Sequence, residues 1–436
     1  MKTRKIVAII LALCVMFSMT ACGSSEKVQN TLPREQKQNA AAEGTEAVED
    51  IVLNYYGRPD TDLERQIIAD FEAENPGIKI NYVELPSSSN DRLKTIQTVL
   101  QAGGTEMDVF VGDACWPSIF VSAGWVEPLD SYIDASVRDR YIDTMLAAYT
   151  INGQTYGLPF MADVCAMYYR EDLLNKYGFA VPTGYDEIAA TSQAIMEQEG
   201  NSDLYGWGSI WVQNETLTCC FLSFYWALGG GDLVDETGKV SIDQAIAEEA
   251  LTRMYDFIYT DKVSPEGMGS FDTNAMRNAV MAGNFIFTSD WLSGYSKYNN
   301  PETSTVAGNM KITAMPVNGA LGGWGVMVSN FSEHKDAAVK FALYRASYEA
   351  QRTALQMASI VPTISSFYDP ETVEEGFEYL PEFLDALNAA RPRGLTPFYA
   401  EISAQIQVEA SAVVCGMKSP ADAAANIVNA ASVIAG

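Results

Sequence analysis

Ile51-Val-Leu-Asn-Tyr-Tyr56 reads as a strand by alternation and β-propensity. Gly57-Arg-Pro-Asp-Thr-Asp62 follows as a turn, with Asp60, Thr61 or Asp62 as the cap of a helix. That helix carries Leu63, Ile67, Ile68 and Phe71 on one face and stops at Glu74-Asn-Pro-Gly77. A second strand runs from Ile78 to Leu85, and a second helix from Asp91 to Gln101. Met107-Asp-Val-Phe-Val111 is a third strand. Strand, helix, strand, helix, strand is the rhythm of a parallel sheet. In such a sheet, ligands sit beyond the carboxyl ends of the strands. This singles out Arg58 and Asp60, the run from Ser87 to Arg92, and Asp113.

Upstream of this run the chain changes character. Lys2, Arg4 and Lys5 precede an apolar stretch, Ile6 to Met19, too short for a comfortable membrane span. Met19-Thr-Ala-Cys22-Gly-Ser-Ser25 then resembles a bacterial lipoprotein signal, which implies cleavage before Cys22 and a lipid on its sulfur. Met19 departs from the usual leucine of that motif, and an ordinary cleaved signal or an uncleaved anchor is the alternative. Residues 26–50 are polar and read as a flexible tether. The expected organisation is therefore an exported protein, lipid-anchored on the outer face of a membrane.

Composition narrows the partners. The 436 residues suffice for two or three domains, and 48% hydrophobic content excludes a disordered chain. A formal charge of −28 argues against nucleic acid and anionic lipid as partners. Beyond Cys14 and Cys22, the cysteines are Cys115, Cys165, Cys219, Cys220 and Cys415; they form no C-x-x-C, and most of them read as buried thiols. His334 is the only histidine, so a histidine-based zinc site is excluded, and no metal or cofactor is expected.

Downstream, helices are expected at Tyr185–Glu199, Leu217–Leu228, Asp243–Thr260 and Asn274–Ala282, with a buried strand from Asn284 ending at Ser289-Asp290-Trp291. Gly322-Gly-Trp324 reads as a turn before a short strand, Val326 to Val328. Two glycines beside a large ring suit a small-molecule site, and equally a glycine turn with Trp324 in the core. The last ninety residues or so read as helical, with expected helices at Ala337–Ala346, Ala350–Met357, Pro381–Ala390, Tyr399–Cys415 and Ala421–Ile434, interrupted by Arg391-Pro-Arg393.

The ordered set Phe71-Glu-Ala-Glu-Asn-Pro-Gly-Ile-Lys-Ile80, Gly124-Trp-Val-Glu-Pro-Leu-Asp130, Leu158-Pro-Phe160, Tyr168-Tyr-Arg-Glu-Asp-Leu-Leu174, Ala279-Val-Met-Ala-Gly-Asn-Phe285 and Gly322-Gly-Trp324 with Glu333-His-Lys-Asp-Ala-Ala-Val-Lys-Phe341 resembles the extracellular solute-binding proteins of carbohydrate ABC importers. Trehalose- and maltose-type binders are most similar. The resemblance implies an α/β, two-lobe periplasmic-binding-protein-like fold. Each lobe would be a mainly parallel sheet flanked by helices, with the ligand cleft between lobes. It implies residues 1–21 as signal, 22–50 as tether, 51–162 and 312–349 as lobe 1, and 163–311 and 350–436 as lobe 2. The implied partners are a sugar ligand and the permease subunits, with the protein a monomer. Arg92, Asp113, Asp163, Trp291, Gly323, Trp324 and Arg393 match the family's sugar-contacting positions, with Arg391 as the neighbouring alternative to Arg393. The loop Gly57-Arg-Pro-Asp60 has no clear counterpart there.

These residue types suit a sugar. Flat rings cover the apolar faces of a pyranose, carboxylates accept from its hydroxyls, and an arginine fork donates to two of them. Competing readings are an exported glycoside hydrolase using Asp113 and Asp163 as acid and base, and a surface receptor without an importer. Ser332-Glu-His-Lys335 matches S-x-x-K but heads a charged helix without companion motifs. Asp60, Asp62 and Glu64 alternate like calcium ligands, but the pattern stops there. Gly229-Gly-Gly231 has no phosphate-loop lysine.

Overall fold

The computed structural model of the chain describes residues 50–59, 61–235 and 237–435. The expected export signal, Cys22, nearly all of the expected tether and the candidate cap Asp60 lie outside the described residues. Among the described residues no helix is long and apolar enough to cross a membrane.

One eight-stranded mixed sheet runs through the molecule. The strands are β1 (Ile51–Gly57), β2 (Ile78–Glu84), β3 (Val109–Asp113), β4 (Leu158–Arg170), β5 (Tyr205–Gly208), β6 (Phe285–Trp291), β7 (Met310–Thr313) and β8 (Leu321–Val328). Their order is β2-β1-β3-β8-β4-β6-β5, with β7 also paired to β4. Parallel pairing joins β1 to β2 and β3, and β5 to β6. The remaining pairs are antiparallel. The expected βαβαβ start is present, with α1 (Thr61–Glu74) and α2 (Ser89–Gln101) between its strands.

β4 divides the molecule. Up to Val164 it pairs with β8; from Cys165 onward it pairs with β6 and β7. All of Leu158–Tyr168 is buried, as expected of a strand covered on both faces. The two halves of the sheet are thereby two lobes of one α/β fold. Helices α3 (Tyr185–Glu199), α4 (Glu215–Ala227) and α5 (Gln244–Tyr259) cover the second half, joined by α8 (Tyr399–Val414) and α9 (Pro420–Ala435). On the first half, α6 (Lys335–Arg345) and α7 (Tyr348–Ala358) pack on α1. Gln351 of α7 donates to the Pro159 carbonyl at 3.4 Å, and Thr363 donates to the same oxygen at 2.8 Å.

Gly322-Gly323-Trp324 is not a turn. β8 begins at Leu321, five residues before the expected start, because β3 and β4 supply backbone partners on both sides. The register shifts after Trp324, as in a bulge. Gly323 has φ +108, and a Cβ there would stand 2.4 Å from the Met161 carbonyl oxygen. Only glycine fits both demands.

Candidate functional site

Sheet register assembles the site. Asp113 ends β3 directly opposite Trp324, and Gly322 stands opposite Asp163 on β4. Trp291 ends β6 opposite Cys165, two residues further along β4. Four neighbouring strands, β3, β8, β4 and β6, thus bring four of the expected residues together from positions far apart in the chain.

Trp324 is half-buried and meets Trp116 edge-on, with centroids 5.3 Å apart. Two guanidinium groups lie against it, Arg92 at 4.3 Å and Arg58 at 5.4 Å from its centroid. Part of its π surface is therefore held by cations. Arg92 is oriented by the turn before α2, donating to the Pro86 carbonyl at 3.0 and 3.1 Å and to Ser87 at 3.3 Å. Ser88 caps that helix through the Asp91 N–H.

Arg393 ties the adjacent strands β3 and β8 to the start of α4. Its Nη2 pairs with Asp113 and its Nη1 with Glu215 at 2.8 Å, while Nε donates to the Leu321 carbonyl at 3.0 Å. Glu215 is the first residue of α4, behind the Asn214 cap, whose side chain accepts from the N–H groups of Thr216 and Leu217. It also accepts from Ser403 at 2.6 Å and from the Tyr399 hydroxyl. The helix expected from Leu217 begins two residues earlier, and this earlier turn brings in Glu215, which is not among the expected site residues. The Asn-Glu-Thr cap pattern was the available signal.

Asp163 is buried, and its Oδ1 accepts from the N–H groups of Leu292 at 2.8 Å and Val164 at 3.1 Å. Burial pushes its carboxyl up to about 7; Arg277 opposes this and Asp290 adds to it. Arg277 is bound to Asp290 at 2.7 Å, and the Tyr298 hydroxyl donates to the same carboxylate at 2.6 Å.

Arg92, Asp113, Asp163, Trp291, Gly323, Trp324 and Arg393 all line one cavity of about 300 Å³, together with Arg58, Glu215, Thr216 and Arg277. Arg391 lies elsewhere. It pairs with Asp232 at 2.8 Å and sits 4.9 Å from the Trp226 centroid. It lines a larger hollow of about 560 Å³ that gathers none of those seven residues and has no aromatic wall. The chemistry converges in the smaller cavity. Trp116, Trp207, Trp211 and Trp226 are buried packing residues.

Comparison with known proteins agrees with this arrangement. A maltose-bound protein of T. maritima, MalE3, superposes with a TM-score of 0.78 at 29% identity, covering 88% of this chain and 99% of that one. A probable ABC transporter-binding protein of Deinococcus radiodurans is 28% identical over 339 residues, 75% of this chain and 80% of that protein. An arabinooligosaccharide-binding protein of Halalkalibacterium halodurans is 20% identical over 384 residues, 81% of this chain and 83% of its own length. Residues 59–352 match the family described as bacterial extracellular solute-binding protein, most of the folded body. The chain belongs to the bacterial extracellular solute-binding proteins.

Proposed function

We propose that this protein captures a sugar outside the cell, a di- or oligosaccharide such as an α-glucoside, and delivers it to the permease of an ABC importer. The observation that carries this reading is the cavity between the two halves of the sheet. Trp291 and Trp324 stand in its wall beside Asp113, Asp163 and Glu215, with Arg92 and Arg393 among them. A sugar offers hydroxyls to carboxylate and guanidinium groups and C–H faces to rings, so both kinds of wall are used. At about 300 Å³ the cavity is at the compact end for ligand sites, which favours short saccharides. The likeness to a maltose-bound protein supports the same class. A micromolar affinity corresponds to about −8 kcal/mol, within reach of several such contacts.

The protein acts by binding and makes no bonds. Asp113, one of the two carboxylates a hydrolase would use, is engaged by Arg393. Residues 51–162 with 312–349 belong to one lobe and 163–311 to the other; the return expected at residue 350 lies beyond α7, which packs on α1, so the second lobe resumes after Ala358, and the protein works as a monomer tethered through lipid on Cys22. Cleft closure is an established motion of such folds.

A thermal-shift screen with glucose, trehalose, maltose, maltotriose and arabinobiose, followed by calorimetry, tests the reading. One-to-one binding of at least one saccharide, without turnover, is expected. Protein that no sugar stabilises would overturn the sugar assignment, and catalytic release of monosaccharide would overturn the binder. Cys22→Ser should move the protein from the membrane fraction to the medium; unchanged fractionation would remove the lipid anchor.

A further inference from the structure

Trp291 reaches the cavity from β6, on the opposite side of β4 from β8. Its indole must therefore cross β4, and it comes to rest on Gly322. A Cβ at position 322 would stand 2.5 Å from Trp291 Cζ3 and 3.2 Å from Cε3 and Cη2. The three nearest atoms all belong to that one ring.

The backbone of Trp291 is held in place, so its ring can move only by turning about its own side-chain bonds. Its N–H donates to Asp290 Oδ1 at 2.7 Å, and its carbonyl accepts from the Tyr168 hydroxyl at 2.9 Å. The indole Nε1 faces Thr216 Oγ1 at 3.4 Å. Unlike Gly323, Gly322 has no positive φ, so the backbone conformation does not itself require glycine there. A glycine inside a strand weakens it and marks a place where something else comes close. Here that something is the Trp291 ring.

We propose that Gly322 is a positioning residue for ligand binding: by offering no side chain, it seats the Trp291 ring across β4 and sets the depth of the cleft. A methyl group at 322 lifts the ring off the strand, and its open side is the cavity. The room available to ligand falls, and longer saccharides lose more affinity than shorter ones. Only this binding consequence rests on the sugar reading; the seating of the ring does not.

The test uses Gly322→Ala, Trp291→Phe and the double variant. The six-membered ring of phenylalanine hangs directly from Cβ and lacks the fused ring that meets Gly322. In ¹⁵N-labelled protein the Trp291 indole N–H signal, assigned by its loss in Trp291→Phe, should shift in Gly322→Ala and exchange faster with solvent. By calorimetry with the saccharides named above, Gly322→Ala should cost about tenfold in affinity in the Trp291 background and less than about twofold in the Phe background. An unmoved indole signal overturns the proposal, as does an equal loss in both backgrounds. If no sugar binds at all, the sugar reading falls while the indole signal still decides the seating. If Gly322→Ala does not fold, the double variant should, and failure of both overturns the proposal.

Discussion

Asp163 is where acidity reaches the site. Its carboxyl titrates at about 7 in the folded protein, against an ordinary 3.8, chiefly because burial disfavours its charge. A carboxyl with a raised folded pKa holds its proton more tightly when folded. Its favourable contribution is complete below about pH 4 and is lost as pH rises through 7. The ligand-free protein should therefore lose more stability than Asp163→Asn between pH 5 and 8, by up to a few kcal/mol at about 1.4 kcal/mol per unit. Urea unfolding at both pH values measures this, and parallel slopes would refute it. Asp113→Ala and Trp324→Ala should each weaken sugar binding by at least about tenfold while far-UV circular dichroism is kept. The first strips Arg393 of its partner on β3, and the second removes the ring on which Arg92 rests. Unchanged affinity in both would dissolve the site.

Between elements, the tie with the largest expected effect is buried. Arg345 of α6 and Glu64 of α1 are each 1% exposed and meet at 2.7 Å, with the guanidinium 3.8 Å from the Phe160 centroid. Removing one member of such a pair strands a charge and costs about 3–5 kcal/mol. Glu64→Ala should lower the urea midpoint accordingly; a loss under about 1 kcal/mol would show that the pair is not closed in solution. Elements governed by local signals were legible in the sequence. Tyr185–Glu199 was expected as a helix and is one, with Gly200 in the left-handed conformation at its end. Elements governed by distant partners were not. Leu321–Trp324 is a strand only because β3 and β4 flank it. Pro381–Ala390, expected as a continuous helix, is a 3₁₀ turn at Leu380–Phe383 and a short helix at Leu384–Asn388. Of the site, residue types and strand ends were readable, but Arg391 and Arg393 could not be told apart. In an extended segment they share a face by spacing, and only the tertiary partners, Asp232 for one and Asp113 for the other, send them to different cavities.

Across the whole molecule, Arg393 spans the cleft between Asp113 on β3 and Glu215 on α4. Glu215→Gln removes the ionic half of the second contact and should loosen the ligand-free arrangement. Small-angle X-ray scattering should then report a larger radius of gyration than for the wild type, with the difference abolished by saturating sugar; identical radii without sugar would show that the bridge does not hold the lobes. The same sheet has a consequence for the order of synthesis. β8 fills the place between β3 and β4, yet it comes off the ribosome long after both. Until residue 328 is made, those two strands present unpaired edges to each other across an empty slot. The first half of the sheet thus cannot close early, and its completion waits until about three quarters of the polypeptide is available.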